Sequence, residues 1–220
     1  PDTLIKFQVI DDNSNDESLK KLRNLINSNS IDCEIIHHNN TEHKGKITAE
    51  NNQETFGNLS SLLKCFEIAK KEQSDLIYFV EDDYLHYDHS LVDMLDTYER
   101  ISSQHKDEII ICPSDYPFNY MTNEKTNILI GSQQHWRIIT KMLCTCMISK
   151  KMFQKHINNF EKTCEKRHDP FEKYLNEILQ KEIAISPIKS LAIHLTNINS
   201  SYGLSPFIDY KKLWDENKVK

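Results

Sequence analysis

Glycine is scarce in this chain, and its scarcity excludes whole classes of nucleotide site. Only 4 of the 220 residues are glycine, so Gly-rich phosphate loops of the Walker and dinucleotide-binding types do not fit. Long apolar runs are also missing, because no window approaches the roughly 18 apolar residues that a membrane span needs. Basic residues are not in excess either. The net charge is −6, which argues against nucleic acid as a main partner.

The bulk composition predicts an ordinary globular protein. Hydrophobic residues make up 38% and charged residues 27%, and the length suits one domain with a sizeable core. A chain of this size does not depend on disulfides, so we interpret its 6 cysteines as thiols. They predict a cytoplasmic protein, or one peripheral to the membrane through flanking sequence or partners. The chain starts at Pro1 rather than at a methionine, so we expect it to be a piece of a longer protein.

Strand-like and helix-like patterns alternate along the first half of the chain. Apolar segments predict strands at residues 4–10, 33–36, 76–80 and 109–112. Helical stripes lie between most of them, and a polar loop is predicted over residues 39–55. This rhythm predicts an α/β fold with a mostly parallel, Rossmann-like sheet that is covered by helices on both faces.

The second half changes character and predicts a smaller mixed region. Short strands are predicted at residues 127–130, 136–139, 143–148, 183–185 and 191–195. Asp169-Pro170-Phe171-Glu172 has the pattern of a helix start, with an aspartate cap, a proline in the first turn and a glutamate that completes the box. The tail from residue 197 onwards is predicted to be loop-like. We divide the chain into halves at residues 1–115 and 116–220 of a single domain.

Residues 76–83, Leu-Ile-Tyr-Phe-Val-Glu-Asp-Asp, carry the strongest functional signal. An apolar strand, predicted to be buried on both faces, runs directly into Glu81, Asp82 and Asp83. Adjacent carboxylates at the end of a buried strand repel one another, and desolvation increases that cost. A divalent cation removes the penalty, because Mg²⁺ and Mn²⁺ prefer oxygen ligands. Ligands of parallel α/β sheets bind at the carboxyl ends of the strands, so we predict a metal–phosphate site here.

A second set of residues leaves a different metal open. Cys144, Cys146, Cys164 and His168 match the residue types of a Cys₃His zinc site. The Cys-x-Cys spacing, however, falls on an alternating strand pattern, and a second turn-like knuckle is missing.

Three segments together resemble the GT-A class of nucleotide-sugar-dependent glycosyltransferases, in particular its family-2-like members. The first is residues 9–16, Val-Ile-Asp-Asp-Asn-Ser-Asn-Asp, and the second is residues 57–60, Gly-Asn-Leu-Ser. The third is residues 79–83, Phe-Val-Glu-Asp-Asp, at the place of the family's D-x-D motif. The likeness covers residues 4–115 well and the remainder loosely. It implies that residues 1–115 form the nucleotide-sugar-binding half and residues 116–220 the acceptor-binding half with the C-terminal tail. The chain departs from the family in lacking a Pro-x-Tyr-Asn-like first strand and the Gln-x-x-Arg-Trp motif.

The resemblance implies a role for each of several residues. Asp12, or Asp11, would contact the nucleoside, and Glu81 would lie near the ribose, with Asp82 beside it. Asp83 would bind Mn²⁺ or Mg²⁺ on the diphosphate, and a late histidine, His194, would complete the metal shell. Asp169 would be the catalytic base of an inverting enzyme, with Glu172 as the substitute base. Apart from the resemblance, Arg137 is a candidate to steady a phosphate, with a surface residue on a strand as the alternative interpretation.

The implied function is metal-dependent transfer of a sugar from a nucleoside-diphosphate sugar to a glycan or lipid-linked glycan acceptor, with inversion, in polysaccharide or glycoconjugate synthesis. Two other functions stay open. A sugar-nucleotide nucleotidyltransferase shares the α/β build, but it normally carries a Gly-rich loop that this chain lacks. A non-catalytic GT-A-like module of a larger synthase would keep the acidic segment without a working base.

Overall fold

The computed structural model describes residues 3–48, 53–195, 198–205 and 208–218. It contains two compact units. The first comprises Pro1–Glu72 and Phe160–Phe171, and the second comprises Gln73–Asn159 and Glu172–Lys220. The functional division at residue 115 stays a prediction.

The elements, in chain order, are β1 (Phe7–Asp11), α1 (Asp16–Ser28), β2 (Cys33–His37), α2 (Gln53–Ala69), β3 (Leu76–Phe79), β4 (Tyr84–His86), α3 (Ser90–His105), β5 (Ile109–Ile111), β6 (Ile128–Ile130), β7 (His135–Ile138), β8 (Cys146–Ser149), α4 (Lys150–Lys155), α5 (Ile157–Thr163), α6 (Lys173–Leu179), β9 (Ile183–Pro187), β10 (Ala192–His194) and α7 (Tyr210–Asn217). Short 3-10 helices lie at Asn40–His43 and Pro117–Tyr120. No helix in the described ranges is long and apolar enough to cross a membrane.

The first unit contains a strand–helix–strand element, as predicted. β1 and β2 pair in parallel, and α1 lies between them in the chain. Asn15 caps the start of this helix, because its side chain accepts a hydrogen bond from the Ser18 amide at 2.9 Å. Phe66 of α2 and Phe160 are both buried and meet edge to face at 5.1 Å. The predicted polar loop over residues 39–55 contains a 3-10 helix, and its residues 49–52 lie outside the described ranges.

The second unit is built on a six-stranded sheet in the order β3-β8-β5-β9-β7-β6. The α/β class is therefore confirmed. The mostly parallel arrangement is wrong for this sheet, since β5 and β9 form its one parallel pair and the other neighbours are antiparallel. The pattern of apolar residues indicates that a strand exists but contains no information about which strand becomes its neighbour.

The strand–helix–strand rhythm did predict one property of the sheet. β8 is antiparallel to both β3 and β5, so β3 and β5 run in the same direction, as the intervening helix α3 requires. β8, from the second half of the chain, is inserted between them. β3 is also less buried than predicted: Phe79 is buried, whereas the other three residues of the strand are partly exposed.

The core of the second unit lies between this sheet and α3. Its buried side chains are Met94, Ile101, Ile109, Ile111, Trp136, Met147, Ile185 and Leu191. Burying such side chains contributes roughly 1.5–3 kcal/mol each, which fixes the sheet register on which the site described below depends.

Two further predictions about the second half are wrong. The helix α6 begins at Lys173 with Glu172 as its cap residue, so Asp169 does not cap it. The tail contains the helix α7, where Asp209 accepts a hydrogen bond from the Lys212 amide at 3.0 Å. This helix has one buried residue, Leu213, so its apolar stripe is too weak to be recognised in the sequence.

Candidate functional site

Strand pairing brings Asp83 and His194 together in the second unit. β10 pairs antiparallel with β4, which places His194 opposite Tyr84. The pairing continues one residue further, because the Leu195 amide donates to the Asp83 carbonyl at 2.8 Å. The Asp83 side chain follows directly, with Oδ2 at 2.9 Å from Nε2 of His194. The acidic segment and the late histidine are therefore neighbours, as predicted.

The surroundings of His194 leave its Nε2 facing an acceptor. Nδ1 lies 3.1 Å from the carbonyl oxygen of Tyr202 and Nε2 lies 2.9 Å from Asp83 Oδ2, and both of these oxygens only accept. The neutral ring has one N–H, so one of its two nitrogens presents a lone pair to an acceptor, and two acceptors repel. A second proton on the ring, or a cation bound by both groups, removes this repulsion. Tyr84 holds the ring in place by stacking on it at 4.9 Å between centroids.

Asp83 has a second oxygen with unmet bonding capacity. Its Oδ1 atom is buried and has no hydrogen-bond partner among the described residues. A buried carboxylate oxygen without a partner is costly. Asp83 and His194 thus offer a cation one unpartnered carboxylate oxygen and one ring nitrogen.

Glu81 is fixed by the neighbouring strand. Its amide donates to the Thr145 hydroxyl at 3.0 Å, and that hydroxyl donates to Glu81 Oε2 at 3.0 Å. The contact arises because Phe79 pairs with Cys146, which puts Thr145 beside the end of β3. Burial raises the pKa of Glu81 to about 7; the hydrogen bond from Thr145 opposes this, and the charge of Asp83 adds to it. Asp82, in the turn between them, is exposed.

The raised pKa of Glu81 predicts a pH-dependent stability. The unfolded chain loses the Glu81 proton near its ordinary pKa of 4.5, whereas the folded protein keeps it up to about pH 7. The bound proton therefore stabilises the folded state fully below pH 4.5, and this stabilisation is lost as the pH rises through about 7. Glu81→Gln keeps the acceptor for Thr145 and removes the titration. In metal-free buffer we expect the variant to match wild type near pH 4.5 and to exceed it at pH 8 by about 2 kcal/mol, allowing for partial exposure. Urea unfolding at both pH values measures this, and a pH-independent difference would contradict it.

Glu172 belongs to the same unit as this cluster. It is the cap residue of α6 but makes no side-chain cap bond, and its carboxyl is partly buried. Burial raises its pKa, while the nearby His194 favours the charged form. Asp169, in contrast, belongs to the first unit and is exposed.

The predicted nucleoside residues lie at the end of β1 in the first unit. Both carboxylate oxygens of Asp11 are engaged, with Oδ1 accepting from the Ser14 amide at 3.2 Å and Oδ2 lying 3.0 Å from His37 Nδ1. Burial opposes ionisation of Asp11, but these hydrogen bonds outweigh it and lower the pKa. Asp12 is exposed. Gly57 lies against it, since a Cβ added there would be 3.1 Å from Asp12 Oδ2.

Arg137, predicted to steady a phosphate, is 8% exposed on β7. Its Nη2 atom lies 3.6 Å from Asp115 Oδ1 and donates to the Tyr120 hydroxyl at 2.6 Å. Its guanidinium also packs over the Tyr120 ring at 4.3 Å. The charge of Arg137 is therefore already matched by a buried aspartate.

Within the described residues, no group of three or more His, Cys, Asp or Glu side chains is arranged to hold a metal ion. The set of Cys144, Cys146, Cys164 and His168 is accordingly not assembled as a zinc site. Asp83 and His194 likewise form a pair rather than a complete set of ligands.

Three residues that contact the predicted site residues were not found from the sequence. Thr145 holds Glu81, Tyr84 stacks on His194, and the Tyr202 carbonyl oxygen faces Nδ1 of His194. Thr145 lies 64 residues from Glu81, and only the pairing of β3 with β8 makes them neighbours. The ring of Tyr202 also stacks on that of Phe118, with 5.4 Å between their centroids.

No protein-family model matches this chain, and no curated protein shows significant similarity to it.

Proposed function

We propose that this protein is a metal-dependent glycosyltransferase that moves a sugar from a nucleoside-diphosphate sugar to a glycan or lipid-linked glycan acceptor, with inversion. The observation that carries the proposal is the pair of Asp83 and His194, at the end of an apolar strand and an acidic turn. The resemblance of the three sequence segments to GT-A enzymes supplies the reaction class.

The residues fit a divalent cation. Asp83 Oδ1 is an unpartnered buried acceptor, and His194 Nε2 faces the same carboxylate. A ligating histidine usually donates its other ring N–H to a carbonyl or carboxylate, and the Tyr202 carbonyl oxygen lies 3.1 Å from Nδ1 of His194, where it would accept that bond. Mixed carboxylate and imidazole donors favour Mn²⁺ over Mg²⁺. When bound, the cation neutralises the negative charge that develops on the leaving diphosphate.

The protein's own groups supply the remaining roles. Glu172 would accept the proton of the acceptor hydroxyl, because its raised pKa brings its basicity closer to neutral pH. Glu81 would orient the ribose, held by Thr145. Of the two residues that the resemblance assigns to the nucleoside, we favour Asp12, which is exposed, over Asp11, whose carboxylate oxygens are both engaged.

A thermal-shift screen tests the proposal. UDP, GDP, CDP and their sugars would be added with Mn²⁺, with Mg²⁺ or with EDTA. A ligand that binds only the folded state stabilises it by about 2.7 kcal/mol at 100 times its Kd, so we expect one nucleotide to raise the Tm by several degrees, and only with a metal. The absence of a shift with every nucleotide would overturn the proposal and favour a non-catalytic module.

The choice between two bases gives a separate prediction. Glu172→Gln should lower kcat for sugar transfer by about 100-fold or more, with the KM for the donor unchanged, because general bases contribute 10²–10⁴-fold. Asp169→Asn is the matched variant, and we expect it to retain activity within about threefold, since the residue is exposed. If Asp169→Asn lowered kcat more than Glu172→Gln in a steady-state assay, Asp169 would be the base instead.

A further inference from the structure

Three polar atoms without partners surround one buried ion pair in the second unit. They are Asp115 Oδ1, Asn119 Nδ2 and Arg137 Nε, each buried and without a hydrogen-bond partner in the described residues. Asp115 is 2% exposed and Arg137 8% exposed. Their closest contact, 3.6 Å between Asp115 Oδ1 and Arg137 Nη2, is too long for a hydrogen bond. Burial raises the pKa of the Asp115 carboxyl, and the Tyr120 hydroxyl, the Arg137 charge and the neighbouring Asn119 side chain all oppose this rise.

Each of these atoms is costly as it stands. A buried donor or acceptor without a partner lowers the stability of a protein by roughly 1–3 kcal/mol, and native proteins contain few such groups. One acceptor and two donors collected at one place form a complementary set. Such a set fits a ligand that both donates and accepts hydrogen bonds.

The hydroxyl of Tyr120 already shows the mode of binding. It donates to Asp115 Oδ2 and accepts from Arg137 Nη2 at 2.6 Å. A second hydroxyl group would repeat the pattern on the unused atoms, donating to Asp115 Oδ1 and accepting from Arg137 Nε or Asn119 Nδ2. Tyr120 is 52% exposed and the adjacent Met121 is 72% exposed, so the cluster lies directly beneath surface side chains.

The charge balance excludes an anion as the preferred ligand. Arg137 alone would attract a phosphate, but the Asp115 carboxylate beside it cancels that attraction. A neutral hydroxylated ligand meets no such opposition. We propose that Asp115, Asn119 and Arg137 form a binding subsite for a hydroxyl of a neutral sugar. This inference rests on the proposed function only in taking the sugar to be a substrate.

The test observes Arg137 directly. The chain has four arginines, and Arg23, Arg100 and Arg167 are exposed. The Nε–H signal of the buried Arg137 is therefore distinguishable in ¹⁵N spectra, and its absence in Arg137→Lys assigns it. Methyl glycosides of glucose, galactose, mannose and N-acetylglucosamine would be titrated without metal or nucleotide. We expect at least one to shift this signal saturably, whereas inorganic phosphate at equal ionic strength does not.

A conservative variant separates binding from folding. Asn119→Ala removes one donor and leaves the contacts among Asp115, Tyr120 and Arg137 in place, so we expect glycoside affinity to fall roughly 3- to 10-fold while the Tm is kept. Asn123→Ala, at an exposed position, is the matched control and should bind as wild type.

The outcomes distinguish the source of the sugar and the failure of each proposal. A shift with free glycosides assigns the subsite to the acceptor, and a shift with nucleoside-diphosphate sugars alone assigns it to the donor's sugar. No shift with either, or an equal shift with phosphate, overturns the subsite. Because glycosides are tested without metal and nucleotide, this result is independent of the thermal-shift screen.

Discussion

Asp83→Asn is expected to abolish the metal-dependent binding of the nucleoside diphosphate and to lower sugar transfer about 100-fold or more. The substitution keeps the size of the side chain and removes the negative charge that would hold the cation. Losing the pair with His194 should cost little stability, because both side chains are partly exposed, at 31% and 15%, and such pairs are worth at most about 1 kcal/mol. The variant should therefore fold as wild type does.

Calorimetric titration of Mn²⁺ and the nucleotide chosen by the screen measures this effect. Asp88→Asn is the matched control, since it makes the same chemical change at an exposed position close to the site in sequence. We expect Asp88→Asn to bind both ligands as wild type does. Unchanged binding in Asp83→Asn would place the metal site elsewhere.

Gly131→Ala is expected to destabilise the second unit by about 3 kcal/mol, at the upper end of overpacking effects. A Cβ added at Gly131 would overlap the indole ring of Trp136 and lie 2.8 Å from Thr97 Oγ1. Trp136 is fully buried and packs in the core between the sheet and α3. It therefore has no free space into which it could move, and the hairpin between β6 and β7 must shift.

Gly57→Ala is the contrasting variant, in the first unit. Its added Cβ would lie 3.1 Å from Asp12 Oδ2, the end of an exposed side chain that can rotate away. Alanine is favoured over glycine within a helix by up to about 1 kcal/mol, and Gly57 lies in α2. We expect unchanged or slightly raised stability in urea unfolding. Equal urea midpoints for Gly131→Ala and wild type would contradict the first expectation, because the Trp136 ring would then move aside without loss of stability.

The elements with strong local patterns were predictable. The apolar stripes of α1 and α2 and the apolar segment of β3 each lie within one stretch of sequence, and each element formed there. The failures follow from weak or ambiguous local signals. The helix α7 buries one side chain, and the start of α6 moved from Asp169 to Glu172 because both residues are plausible caps in adjacent turns.

The candidate site was predictable only in part. The acidic turn at residues 81–83 could be recognised, since a run of carboxylates after an apolar strand is a local pattern. His194, 111 residues away, was matched to it by family resemblance, and the pairing of β4 with β10 is the contact that joins them. Thr145 had no signal of its own. The sequence also gives no sign that Asp115 lies beside Arg137, where its carboxylate opposes the binding of a phosphate.

The sequence by itself determined which segments form strands and helices and where the carboxylates lie, because side-chain periodicity and caps act over a few residues. Only the tertiary structure decided that β8 enters antiparallel between β3 and β5, and that His194 meets Asp83. Strand order depends on contacts between distant segments whose apolar faces are interchangeable in composition. The pairing partners of Asp83, Glu81 and Arg137 therefore follow from the packing of the whole unit and are absent from any local pattern.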